Sequence, residues 1–362
     1  MSKHGWTYNA FEDCLQKIKT PSKIKSSEYF ESGLYPVVSQ EQEFISGYNN
    51  AADKVFHHNK PVVIFGDHSR VVKYVDFDFI VGADGVKIFL VKDEFNPKFF
   101  YYFIKWIDVE SLGYSRHYKV LKENDVPVPP MSEQEAIVAE LDEINETIAE
   151  LQQQIAELDT LAQSTFYDMF GDPITNPKGW EVKKLGDVAH YSSTRVSATE
   201  LNPSNYVGVD NLLKDKQGKI DASFYPTDGN VTAYKIGDTL LGNIRPYLKK
   251  IWYADSNGGA SGDVLVIQVN EDMKSQIHPF FIYYTLSLDA FFDFDMLHSK
   301  GAKMPRGSKP EIMKFPICKP PLALQQEFAS RVEAIEAAKS ELNAQIAEMQ
   351  TLLASRMDYY FD

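Results

Sequence analysis

The chain is written twice, and that duplication limits what it can fold into more than any other feature. Pro129-Pro130 followed by Gln134 returns as Pro320-Pro321 followed by Gln325, an offset of 191 residues. At the same offset, Glu150-Leu151 and Gln154-Ile155-Ala156-Glu157 return as Glu341-Leu342 and Gln345-Ile346-Ala347-Glu348. Thr160-Leu161, Ser164 and Phe170 return as Thr351-Leu352, Ser355 and Phe361. Solenoid repeats run about 20–50 residues, so this period describes a duplicated domain plus helix. The segments upstream repeat more loosely and in the same order. Gly5-Trp6, Phe11 and Asp13 reappear as Gly179-Trp180, Leu185 and Asp187. Asn96-Pro97, Phe99 and Tyr101-Tyr102 reappear as His278-Pro279, Phe281 and Tyr283-Tyr284. Two similar heads are expected, and two heads suit a target that itself has two parts.

The helical segments carry a heptad seam. Ile137, Leu141, Ile144, Ile148, Leu151, Ile155 and Leu158 follow a 4-3-4-3-4-3 spacing, and Ala162 continues it. Phe328, Val332, Ile335, Leu342, Ile346, Met349 and Leu353 hold the same register, interrupted by Lys339 where the first copy has Ile148. Apolar residues at this spacing form one stripe that a partner helix covers. The two helices are therefore expected to pack on each other. An antiparallel arrangement would send the heads to opposite ends of a rod; about 37 residues give it a length of roughly 55 Å. Lys339 either fixes register or snorkels to the edge. Ser132 and Glu135 fit a capping box at the first helix start, and Gly171 with Pro173 stops that helix. The fold class is thus α+β, two similar domains separated by two long helices in an antiparallel coiled coil, with a pseudo-twofold internal repeat. The expected boundaries are 1–128 and 172–319 for the heads, and 129–171 and 320–362 for the helices.

Charge sharpens this division. The net charge is −14, which by itself argues against a nucleic-acid partner. Residues 131–168 hold ten acids and no Lys or Arg, and residues 322–362 hold seven acids and three bases. These segments carry the whole imbalance, leaving 34 acids and 34 bases elsewhere. The heads are neutral, so local basic faces remain open to them, while the helix acidity suits either a solvated face or a protein-binding one. Cys14 and Cys318 suggest neither a disulfide framework nor a zinc site. With no signal peptide and no apolar run near 18 residues, a soluble cytoplasmic protein is expected.

Each head reads as mixed α and β. Residues 61–65 and 86–91, and 239–241 and 264–269, are expected as buried strands, with the aromatic segments 99–106 and 280–288 as core helices. No catalytic constellation is present. There is no glycine-rich phosphate loop of the GxxxxGK[ST] type and no Asn-Pro-Pro-Tyr/Phe stretch of the kind amino-methyltransferases use. Glu181-Val182-Lys183 after Asp172 only faintly echoes a nuclease signature, and His57-His58 reads as a turn pair. A reader is expected, not a catalyst. The candidate nucleic-acid contacts are basic and polar loop residues. In the first head these are His68, Ser69, Arg70, Lys73, Arg116 and Lys119, with Ser115 and His117 beside them. In the second they are Arg195, Asn243, Arg245, Lys249, Lys250, Lys303 and Arg306, the last two in a basic run with Lys300 and Lys309. The sets occupy equivalent places. Gly66 to Arg70 and Gly242 to Arg245 follow matching strands, and Gly113 to Lys119 matches Gly301 to Arg306.

Taken together, these residues resemble a known family. A variable head, Val126-Pro127-Val128-Pro129-Pro130 with Glu133-Gln134-Glu135, a long acidic helix, then Met169-Phe170-Gly171-Asp172-Pro173 and Asn176-Pro177-Lys178-Gly179-Trp180 look like the specificity subunit of type I restriction–modification enzymes. The resemblance covers the full chain. It departs mildly in the second copy, where the motif after Pro320-Pro321 reads Leu324-Gln325-Gln326-Glu327 rather than Ser-Glu-Gln-Glu. It implies that each head is a target recognition domain reading one half of a split double-stranded DNA site. The paired helices would set the gap and dock two modification (adenine methyltransferase) subunits, and a restriction (motor and nuclease) subunit would complete the complex. It also implies no cofactor or metal on this chain, because S-adenosylmethionine, ATP and Mg belong to those partners. The competing expectation is a coiled-coil protein-interaction adaptor without DNA recognition, which the net acidity favours. A self-contained methyltransferase or nuclease is disfavoured by the missing motifs.

Overall fold

The computed structural model describes residues 5–19, 22–107, 109 and 116–362. The chain divides into two compact units, Met1–Gln154 with Leu342–Asp362, and Ile155–Glu341. In chain order the first unit contains β1 (Thr7–Ala10), β2 (Tyr35–Val38), β3 (Gly47–Asn49), β4 (Val55–Phe56), β5 (Val62–Gly66), β6 (Val72–Val75), β7 (Phe79–Val81) and β8 (Val86–Phe89). Then come α1 (Pro97–Trp106), α2 (Tyr118–Leu121), β9 (Asp125–Val128) and the start of α3 (Met131–Phe170). Beyond α3 the second unit contains β10 (Glu181–Lys184), α4 (Leu185–Val188), β11 (Ala189–Tyr191), β12 (Arg195–Ser197), β13 (Tyr206–Val207) and β14 (Asn230–Tyr234). It continues with β15 (Thr239–Gly242), β16 (Ile251–Tyr253), β17 (Gly258–Ala260), β18 (Val264–Val269), α5 (Pro279–Ser287), α6 (Asp289–His298), α7 (Lys309–Ile312), β19 (Pro316–Lys319) and the start of α8 (Leu322–Phe361). Among the described residues no helix is long and apolar enough to cross a membrane.

Each head is built on the same plan. A two-stranded antiparallel ribbon, β1 with β9 or β10 with β19, joins the first strand of the head to the last. One sheet runs β6-β5-β8 in the first head and β11-β18-β15-β16 in the second; the other runs β3-β2-β7-β4 and β12-β14-β17-β13. The central strand β5 is buried on both faces, which is why residues 62–65 form an unbroken apolar run. Successive side chains of a strand point to opposite faces, so β5 supplies two cores at once. Val63 and Phe65 pack with Phe11, Phe99 and Phe100, while Val62 and Ile64 pack with Val38, Val75 and Phe79. In the second head Leu241, Leu265 and Ile267 face Phe281, and Leu240, Val264 and Val266 face Tyr234 and Trp252. Asn96 caps α1 by accepting from the Lys98 and Phe99 amides, and Pro97 fills the first helical position.

The repeated Pro-Pro…Gln motif has a physical explanation in the structure. Gln134 is fully buried; its amide donates to the Glu94 and Pro129 carbonyls (2.9 Å each), and its oxygen accepts from the Asn96 amide at 2.7 Å. Gln325 repeats every bond, donating to Gln276 (2.9 Å) and Pro320 (2.8 Å) and accepting from His278 at 2.9 Å. The glutamine thus ties the helix start to the loop before the aromatic helix in both copies. The expected capping box does not form. Helix α3 already begins at Met131, where the Pro130 carbonyl accepts from the Glu133 and Gln134 amides, so Ser132 lies inside the helix. The α3 terminus matches its motif: Gly171 takes a left-handed φ of 79°, and the Trp180 indole donates to the Phe170 carbonyl at 2.9 Å.

Within each unit the two long helices run antiparallel. In the first, the opening turns of α3 meet the closing turns of α8, where Arg356 and Tyr360 both bind the Glu140 carboxylate. In the second, Phe166 and Phe170 of α3 pack on Phe328 of α8 (ring centroids 5.5 and 5.3 Å), and Asp159 meets Lys339 at 2.7 Å. The seam is shared with the heads, which corrects its reading as purely helix against helix. Ile137 and Leu141 belong to the core of the first head with Met357 and Phe361, and Phe328 and Val332 to that of the second with Phe166 and Phe170. Ile144, Ile148, Leu151 and Ile346 are buried, whereas Ile155, Leu158, Ile335, Leu342, Met349 and Leu353 are half-buried. Lys339 neither sits centrally nor floats free. Burial pulls its ammonium down, but hydrogen bonds to Asp159 and Glu336 outweigh that and hold it above the ordinary lysine value.

Candidate nucleic-acid interface

In the second head, two loops distant in sequence are knitted together along their backbones: the loop leaving β15 and the loop between α6 and α7. Arg245 donates to the Pro305 carbonyl at 2.7 Å, Gly307 donates to Asn243 at 3.1 Å, and Ile244 bridges to Arg306. Arg245 adopts a left-handed φ of 54°, and its side chain is exposed. Lys300, Lys303, Arg306 and Lys309 are exposed on the second loop, and the Arg306 guanidinium meets the Asp263 carboxylate at 2.9 Å. Gly307 has no alternative, since a Cβ there would lie 2.5 Å from an oxygen of the buried Asp295.

The first head joins its equivalent loops in the same way. The amides of His117 (2.9 Å) and Tyr118 (2.8 Å) donate to the Asp67 carbonyl and carboxylate. Asp67 corresponds to Asn243: its amide donates to Gly85 as that of Asn243 does to Asp263, at 2.7 and 2.9 Å. Arg70 is exposed with φ 64°, the same left-handed geometry as Arg245, and its guanidinium donates to Val109 at 2.9 Å. Gly66 is required because a Cβ would collide with the Ser69 hydroxyl. Half-buried Ser69 accepts from the Val71 amide, and the His68 amide donates to Gln40. Arg116 and Lys119 are exposed, while Gly113 and Ser115 lie outside the described residues.

Several candidates serve the fold instead. Lys73 is buried, with its ammonium on the Ser39, Glu43 and Phe44 carbonyls at 3.0, 2.5 and 3.4 Å; burial lowers its pKa. Lys250 donates to Val209 at 2.6 Å. The sequence marked both as basic loop residues and gave no sign of the carbonyls that would surround them. Asn243 is buried between its loop and Asp295, so it positions the loop and does not face outward. His117 is likewise buried, with its ring nitrogen 2.9 Å from the Asp67 carbonyl. Lys249 pairs with Asp289 at 2.9 Å, and Arg195 on β12 is exposed and donates to Thr232 at 3.0 Å, apart from the loop pair. Elsewhere, Glu181 lies between Lys183 and Lys319, His57 bonds Asp78, and His58 bonds two carbonyls. Among the described residues no three His, Cys, Asp or Glu side chains gather as a metal site.

Two like heads, each with an exposed arginine at a clamped loop pair and each followed by a long helix, define a class of paired-head proteins. The type I restriction modification DNA specificity domain matches residues 4–160 and 177–349, and the chain belongs to that family. It is 27% identical over 194 residues to the specificity subunit of the type I restriction enzyme EcoR124I/EcoR124II from Escherichia coli, 49% of this chain and 47% of that protein. The EcoDI specificity subunit from Escherichia coli is 26% identical over 176 residues, 47% of this chain and 38% of that protein. The chain thus spans about half the length, or less, of these curated relatives. Its fold is similar to a type I restriction-modification system S subunit from M. genitalium, at TM-score 0.56 and 15% identity, covering 98% of this chain and 95% of that one. A chain from a type I R-M system structure concerned with complex assembly and conformational transition gives TM-score 0.52 at 16% identity, covering 99% and 97%.

Proposed function

We propose that this chain is the DNA-specificity subunit of a type I restriction–modification complex, with each head reading one half of a bipartite site in double-stranded DNA. The observation that carries this is the duplicated loop pair, with exposed left-handed Arg70 and Arg245 in equivalent loops of two like folds. Arginine matches the guanine O6/N7 edge bidentately, and the neighbouring lysines suit phosphate. Joining two readers raises the effective concentration of the second interaction once the first is made. The paired acidic helices are assigned the gap and the docking of two adenine methyltransferase subunits, and a motor and nuclease subunit would complete the restricting form. S-adenosylmethionine, ATP and Mg are assigned to those partners and the complex to the cytoplasm, which leaves this chain non-catalytic.

The test is DNA binding by the chain assembled with its modification subunits. Lys303→Ala and Arg306→Ala are expected to weaken binding and to lower the salt slope by about 0.9 for each phosphate no longer neutralised. Lys73→Ala is expected to lower stability and leave the slope alone. Unchanged affinity and slope in the first two variants would make this loop ordinary surface.

A further inference from the structure

Each head has a third segment beside its loop pair, outside the basic loops described above. Strands β13 and β17 pair in parallel, and the Ser261 amide donates to Val207 at 2.9 Å. Strands β2 and β7 also pair in parallel, and the Gly82 amide donates to Val38 at 2.9 Å. The segments leaving β13 and β2, residues 208–226 and 39–46, are therefore counterparts. Each is held by a lysine of the neighbouring hairpin, Lys250 on Val209 and Lys73 on Ser39, Glu43 and Phe44. The segment in the second head turns a phenyl ring outward, Phe224 at 90% exposed, whereas Phe44 in the first head, 47% exposed, packs edge-on against Phe77 at 5.9 Å. Tyr225 and Met304, 37% and 48% exposed, border the same groove as Phe224, and a contiguous exposed apolar patch of this kind marks an interaction surface.

The surroundings of Phe224 say which partner. It opens onto a groove of about 790 Å³ lined by Phe224 and Tyr225 from this segment, Arg245 and Met304 from the two basic loops, and the carboxylates of Asp210 and Asp221. Those carboxylates repel phosphate but accept hydrogen bonds from the amino groups of cytosine and adenine, while arginine donates to guanine. Phenyl and thioether side chains suit the faces of bases, and apolar wedges of this kind unstack base steps. The composition fits base-pair edges better than the sugar–phosphate backbone. We propose that residues 208–226 form a third DNA-contacting segment of the second head, and that Phe224 wedges against an unstacked base step and fixes the base preference there. This rests on the DNA-reading function proposed above.

The experiment uses the chain assembled with its modification subunits, and duplexes of its methylated site carrying 2-aminopurine at successive positions. The wild-type complex is expected to raise the fluorescence at one step in the half-site read by the second head. Phe224→Ala is expected to abolish that rise and relax base discrimination there, with binding about tenfold weaker. Phe224→Leu should keep part of the signal. Absence of any rise in the wild type, or an unchanged rise in Phe224→Ala while Arg245→Ala weakens binding, overturns the wedge and leaves DNA reading intact. If neither Arg245→Ala nor Phe224→Ala alters DNA binding, DNA reading itself is wrong. Loss of the modification subunits from Phe224→Ala would place the ring in a protein interface and overturn the proposal.

Discussion

At the scale of single residues, charge type proved a poorer guide than surroundings. Arg245 and Lys250 lie five positions apart in one loop, yet one is exposed and the other holds its ammonium on a carbonyl. The difference lies in the loop 208–226, which no local pattern links to residue 250. Asp295 teaches the same lesson more sharply. Its carboxyl is 1% exposed, and neither oxygen has a hydrogen-bond partner among the described residues. Burial pushes its pKa up to about 6, with His298 pulling the other way. The unfolded chain releases this proton near the ordinary carboxylate value, so between about pH 4 and 6 the folded state holds more protons. Stability therefore falls as pH rises through that window, a change of roughly 3 kcal/mol from this group. Asp295→Asn is expected to flatten that part of the pH profile, read as denaturation midpoints at pH 4.5 and 7. A variant that keeps the wild-type slope would assign the effect elsewhere.

At the scale of elements, the helices and central strands were legible because burial imposes a period. The 4-3 spacing marked α3 and α8, and the apolar runs at 61–65 and 264–269 became β5 and β18. The start of α3 was misread, because Ser132 and Glu135 fit a cap while the Pro130 carbonyl had already begun the helix two residues earlier. What the repeated glutamine does was invisible, since two of its three partners lie 38 to 49 residues upstream in sequence. Replacing Gln325 with Leu leaves the His278 amide and the Gln276 and Pro320 carbonyls without that partner. Each buried orphan costs about 1–3 kcal/mol, so a total loss of roughly 3 kcal/mol or more is expected from denaturant unfolding. Gln134→Leu should match it. A loss below about 0.5 kcal/mol at either site would show that water or backbone shifts replace the side chain.

At the scale of the whole molecule, the duplication makes its own prediction for the proposed gapped site. A helix advances about 1.5 Å per residue, so adding four residues to α3 between 131 and 168 moves its ends apart by roughly 6 Å. Sequencing the methylated sites of cells carrying such a variant is expected to show an altered gap between unchanged half-sites. Altered half-sites with the original gap would remove the helices from the role of ruler.

The sequence alone determined that there are two heads and two long acidic helices, because duplication and heptad spacing are written in one dimension. It also marked which loops match between the heads. Tertiary structure decided which loop residues face outward, because that depends on carbonyls, carboxylates and strands brought in from distant positions. Lys73 was drawn inward by such groups and Asn243 was buried by the packing of its loop, while Phe224 was left in water beside the arginine loop, with nothing in its neighbouring sequence to announce it.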